Sequence, residues 1–108
     1  MSFDANDRAL DLLRTLSPLL ASLTASDASL ADQLRRAAAS TVLNIAEANR
    51  RTLRDRRNRF RIALGSAAEV TACLEVAVVF GYVEPAQIAA ALELADRVRA
   101  MTYRLARK

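Results

Sequence analysis

The chain has 108 residues, 53% apolar and 26% charged, with two Gly, two Pro and a net charge of +4. That length suits one core, the apolar fraction excludes a disordered chain, and so few turn residues leave room only for a few long elements. Ala occurs 23 times and Leu 16 times, which favours helix over sheet, so residues 1–108 are expected to form a single all-α domain.

Four helices can be placed. The first is expected from about Asp4 to Leu23, where Leu12, Leu13, Leu16, Leu19, Leu20 and Leu23 recur at helical steps and build one apolar stripe. Asp4 and Asp7 suit its positive end. Pro18 removes a backbone donor, so a kink or an early end is expected there, followed by a short linker over residues 24–28. The second helix is expected from about Ser29 to Arg50 or Arg51, opened by Ser29 with Asp32 in a capping-box pattern. Leu30, Leu34, Ala37, Ala38, Thr41 and Ile45 form its core stripe. Beside that stripe, Ser40, Asn44, Glu47 and Arg51 stack in one row. The row reads either as a polar network at a ligand or subunit boundary or as ordinary helix polarity with one Glu47–Arg51 pair.

The third helix is expected from about Leu53 to Phe80, with Thr52 and Asp55 at its start and Gly81 in the left-handed position past its end. Phe60, Ala63, Ala67, Val70, Leu74, Ala77 and Val78 make a near-heptad stripe. A second row, Ile62, Ser66, Glu69, Cys73, Val76 and Phe80, gives this helix another largely apolar face. A helix with two apolar faces is either central in its own bundle or shares one face with a neighbouring subunit. Since every helix of a four-helix domain meets solvent somewhere, the shared face is the favoured expectation. The fourth helix is expected from about Pro85 to Leu105, with Pro at its favoured first position. Its stripe is Ile88, Ala91, Leu92, Ala95, Val98, Met101 and Leu105, and Arg104, Arg107 and Lys108 suit its negative end. The sum is an antiparallel up-down-up-down four-helix bundle.

The charge is unevenly spread. Residues 1–32 hold two Arg and five acids, residues 33–61 nine Arg and two acids, and residues 62–108 five bases and five acids, giving −3, +7 and 0. Seven arginines, Arg50, Arg51, Arg54, Arg56, Arg57, Arg59 and Arg61, fall within twelve residues. Such a field source draws phosphate backbones or acidic protein surfaces. Arg35 and Arg36 extend the basic set along helix two. Arg54, Arg57 and Arg61 are spaced to share one face, whereas Arg56 and Arg59 point elsewhere; this suits a broad electrostatic surface better than base readout. Phe60 is the single aromatic within the segment, which gives little support to stacking on single-stranded bases.

Other chemistries find no support. With no His the usual proton shuttle and the commonest metal ligand are missing. Cys73 alone makes neither an internal disulfide nor a thiolate zinc site, and is read as a small apolar residue. Glu47 and Glu69 could face each other across helices two and three, but a di-metal bundle site needs more carboxylates and His ligands. No catalytic residue, metal or cofactor is therefore expected. No run approaches the roughly 20 apolar residues that span a bilayer, and no export signal opens the chain, so the expected setting is the cytoplasm with no membrane partner.

Gln33-Leu34-Arg35-Arg36-Ala37-Ala38, then Ser40, then Asn44-Ile45-Ala46-Glu47 with Arg51, resembles the signature of a bacterial family of four-helix-bundle proteins. These include proteins encoded within intervening sequences of large-subunit ribosomal RNA genes. Phe60, Ala63, Gly65-Ser66, Glu69 and Leu74, followed by Phe80-Gly81-Tyr82-Val83, is similar to the family's third helix and exit turn. The chain departs from the pattern at Ala48, usually Gly, and at Val42-Leu43, which replaces a common Ile-Pro pair and should leave helix two straighter. The resemblance implies a four-helix bundle without established enzymatic activity. It also implies ring-like homopentamers, as in some members, and a likeness to the basic, nucleic-acid-binding accessory protein of diversity-generating retroelements. The combined expectation is a homo-oligomer that binds structured RNA or duplex nucleic acid with little sequence specificity. The alternative is a scaffold that docks an acidic protein partner. Ser40, Asn44, Glu47, Ser66 and Glu69 are expected at a polar network or subunit interface.

Overall fold

A computed structural model describes residues 3–107. Met1, Ser2 and Lys108, the last of which is expected to complement the negative end of the fourth helix, lie outside the described residues. Four helices follow in order: α1 Phe3–Ser26, α2 Ala28–Ala48, α3 Leu53–Val79 and α4 Pro85–Ala106. Each packs along its sequence neighbour, and α1 also packs along α4, which closes the four into a bundle. The molecule measures 42 × 22 × 19 Å, its long axis set by the lengths of the helices.

Two local expectations fail: the early end of α1 after Pro18 and the capping of α2 by Ser29. α1 runs through Pro18 to Ser26 instead of ending near Leu23. Leu16, Leu19 and Leu23 are buried on either side of the proline, so packing of the stripe outweighs one missing backbone bond. The expected linker shrinks to Asp27 alone. That residue, not Ser29, caps α2, its carboxylate accepting from the Leu30 amide at 3.0 Å.

The other boundaries follow their residues closely. Thr52 holds the extended N-cap position of α3, without a side-chain cap bond. Gly81 takes φ 77° past the end of α3. The Tyr82 amide donates to the Ala77 carbonyl and the Gly81 amide to the Val78 carbonyl, both at 2.9 Å, which satisfies carbonyls left over at a helix end. Glu84 precedes Pro85, and its amide donates to Gln87 Oε1 at 2.8 Å.

The core divides along the bundle. One cluster is built of large aliphatics, among them Leu12, Leu16, Leu23, Leu34, Val70, Leu74 and Ile88. The other, towards the α2–α3 turn, is mostly alanine (Ala5, Ala9, Ala48, Ala63, Ala67, Ala106) with Phe60 as its largest member. Small residues on α1, α2 and α4 let those helices close around one buried ring. Thr41 and Thr102 are fully buried polar residues, and each hydroxyl donates to the carbonyl four residues earlier, so neither is left unsatisfied.

Candidate nucleic-acid interface

The register between α2 and α3 is fixed by three side-chain contacts. Tyr82 Oη donates to Asp27 at 3.0 Å, the Ser40 and Ser66 hydroxyls are 2.7 Å apart, and an Arg59 guanidinium N–H donates to Asn44 Oδ1 at 3.3 Å. Early α2 thus meets the exit of α3, and late α2 meets the start of α3. The helices are antiparallel, and the arginine-rich stretch forms the end of the bundle at their turn.

Ser40, Asn44 and Ser66 do come together. Asn44 Nδ2 donates to the Ser40 carbonyl at 2.9 Å and to the Ser40 hydroxyl at 3.1 Å, while Ser40 reaches Ser66 and Asn44 receives Arg59. A half-buried chain of four polar side chains therefore spans the α2–α3 seam, with Arg59 as a member that helix periodicity alone did not assign to it. Glu47 is elsewhere: it pairs with Arg51, whose Nε donates to Oε2 at 2.8 Å. Glu69 is exposed on α3 and raises the Cys73 thiol pKa, behind the larger effect of that thiol's burial. Counted from the Ser40–Ser66 contact, the two carboxylates lie about 15 Å apart along the bundle axis. They do not face each other, and no cluster of three or more His, Cys, Asp or Glu suited to a metal exists among the described residues.

The basic segment divides around the circumference of α3. Arg54, Arg57 and Arg61 fall on the side towards α4, where Arg57 and Arg61 line a groove. Arg59 turns to α2, and Arg56 lies over the buried Phe60 ring with its Cζ 5.5 Å from the centroid. Arg50, Arg54 and Arg61 are exposed and have no carboxylate partner among the described residues. Arg35 and Arg36 are held by Asp32 at 3.5 and 3.6 Å, about 20 Å along α2 from the turn.

Sequence reasoning missed the contribution of α4. Arg99, Tyr103 and Arg107 recur at steps of four and bring a ring and two cations alongside Arg57 and Arg61. That i, i+4, i+8 row is visible in the sequence, but only the packing of α4 along α3 sets it beside arginines some 40 positions earlier.

An apolar flank completes the surface. Of the second row on α3, Cys73 is buried in the protein's own core and Ser66 belongs to the polar seam, while Ile62, Val76 and Phe80 are exposed, Phe80 by 62%. Leu43 on α2 is 66% exposed. One expectation needs correcting here: α3 is long and apolar enough, by length and composition, to cross a bilayer, and only a third of that stretch is buried. Individual runs are interrupted by small and polar residues, which hides the length of the apolar stretch when runs are counted one by one.

The comparisons agree with this architecture. The family described as 23S rRNA-intervening sequence protein matches over residues 2–104. The chain belongs to that family. A crystal structure from Bacteroides thetaiotaomicron, of a protein of unknown function from the S23 ribosomal protein family, superposes with a TM-score of 0.89. The two share 21% identity, and the match covers 99% of this chain and 98% of the other, so the likeness is one of fold. Among curated proteins none matches. The four-helix bundle expected for the 23S rRNA-intervening sequence family is thus the fold observed.

Proposed function

We propose that this member of the 23S rRNA-intervening sequence family is a non-enzymatic, cytoplasmic homo-oligomer, a ring of the homopentameric kind, that binds structured RNA or duplex nucleic acid with little sequence specificity. The observation that carries the proposal is the set of exposed arginines at the α2–α3 end, of which Arg50, Arg54 and Arg61 have no acid partner among the described residues. Unneutralised guanidinium groups gathered at one end of a bundle attract a polyanion and release its counterions. Arg51, Arg56, Arg57 and Arg59 widen that surface, and Arg35 and Arg36 stand further along α2. Self-association is supported by the exposed apolar flank of Leu43, Ile62, Val76 and Phe80, surface of a kind that subunit contacts cover.

Two measurements test this. Light scattering should give a mass several times the 11.8 kDa of one chain. A polarisation titration with an RNA hairpin or a DNA duplex should show binding of micromolar strength or better at about 50 mM salt, weakening as salt rises. For duplex DNA the logarithmic slope is about −0.9 per phosphate contacted. Three arginines of one subunit therefore give about −3, and a ring engaging several copies gives a steeper slope. Reversing charge at Arg54, Arg57 and Arg61 together should abolish binding without changing the mass. Absence of binding at low salt refutes the nucleic-acid reading, and the same arginines then become a dock for an acidic protein.

A further inference from the structure

The groove between the first half of α3 and the last turns of α4 has chemistry that phosphate attraction alone does not require. Two adjoining cavities of about 450 and 550 Å³ share Arg61, Leu64 and Tyr103 in their walls. Both volumes fall in the range of sites that hold small organic groups, about 300–1,000 Å³. Four cations line the groove, Arg57, Arg61, Arg99 and Arg107, against one acid, Asp96, which is already paired with Arg99 at 3.5 Å. Arg99 Nε is also buried without a hydrogen-bond partner.

Tyr103 stands among these charges. Arg107 Cζ lies 5.3 Å from its ring centroid, and an Arg107 N–H reaches the phenol oxygen at 3.4 Å. The ring is steadied by this contact and is nevertheless 50% exposed. Gly65 and Ala68 line the neighbouring cavity, and a Cβ placed on Gly65 would meet nothing within 4 Å. The groove is therefore open beside an aromatic face and rimmed with guanidinium groups. A flat, π-bearing group joined to phosphates matches all of these features. An acidic peptide would satisfy the arginines and leave the ring without a role.

Resting on the nucleic-acid reading above, we infer that the α3–α4 groove takes one unpaired nucleotide, its base stacked on Tyr103 and its flanking phosphates held by Arg57, Arg61 and Arg107. Bases of an uninterrupted duplex are stacked on one another and cannot reach the ring. A bulged or looped RNA, which offers phosphates and a free base together, is the preferred form.

The chain has two tyrosines and no tryptophan, so in Tyr82→Phe the single remaining tyrosine, Tyr103, reports on its own surroundings by fluorescence. This variant is titrated with an RNA hairpin carrying a one-nucleotide bulge and with a fully paired RNA of the same length. The bulged RNA should bind about 5- to 150-fold more tightly, the gain expected from one stacked base, and should quench the emission. On the natural background, Tyr103→Ala and the groove-filling Gly65→Leu should each remove the preference while keeping affinity for the paired RNA. Tyr103→Phe should retain it. Equal affinity for the two RNAs, or a preference that survives Tyr103→Ala, overturns the groove assignment and leaves the arginine surface standing. Failure to bind either RNA at low salt overturns both.

Discussion

The two glycines should respond to alanine with opposite signs. Gly65 is exposed inside α3, and an added Cβ would meet nothing within 4 Å. Alanine there gains helix propensity and reduces the freedom of the unfolded chain, together about 0.5–1 kcal/mol. Gly81 also has open space around it, but its φ of 77° belongs to the left-handed region. An alanine held there costs about 1–2 kcal/mol. Unfolding entropy of about 2.1 cal/mol/K per residue, over a chain this long, makes 1 kcal/mol worth about 4 °C. Gly65→Ala should therefore raise Tm by about 2–4 °C, and Gly81→Ala should lower it by about 4–8 °C. The check is thermal circular dichroism at 222 nm with protein concentration matched across variants, because self-association makes Tm concentration-dependent. A fall in Tm for Gly65→Ala refutes the reasoning, since it means that the α4 side of α3 is covered in solution. A rise for Gly81→Ala would show that the turn is not held in the left-handed conformation.

Three more predictions follow from the core, the seam and the tether at the far end. Phe60→Ala empties the centre of an alanine-walled cluster that has little side-chain mass to collapse with, and urea unfolding should show a loss of about 3–5 kcal/mol; a loss below 1 kcal/mol would mean that the ring is not the plug of that cluster. A double-mutant cycle on Ser40→Ala and Ser66→Ala should return a coupling of about 0.5–1.5 kcal/mol for the hydroxyl contact, with zero coupling counting against the seam. The hydrogen bond to Asp27, then partial burial and the Asp27 charge, raise the Tyr82 pKa above the usual value. The neutral phenol is the form favoured by folding, so its stabilising contribution is complete below about pH 10 and fades as pH rises through the folded value. In a titration followed at 295 nm, Asp27→Asn should bring the Tyr82 transition down; an unchanged transition would remove the tether.

Much of the bundle was legible because helical periodicity, Pro85 at a helix start and Gly81 past a helix end each act within a few residues of themselves. The stripes named for α2 and α3 are the buried faces apart from partly covered Val78. Where local preference met long-range packing, the sequence was a poorer guide, as at Pro18, where a buried leucine stripe carries α1 onward. The candidate site divides in the same way. Crowding of arginine between residues 50 and 61 is a property of the chain, and so is the row formed by Ser40, Asn44 and Glu47. Which arginine joins Asn44, why Glu47 and Glu69 stand apart, and how Tyr103 reaches the side of Arg57 and Arg61 are consequences of the antiparallel register of neighbouring helices. That register depends on how side chains of different helices interlock across the core. Periodicity within one helix reports which face is apolar and holds no record of the height at which the next helix will pass.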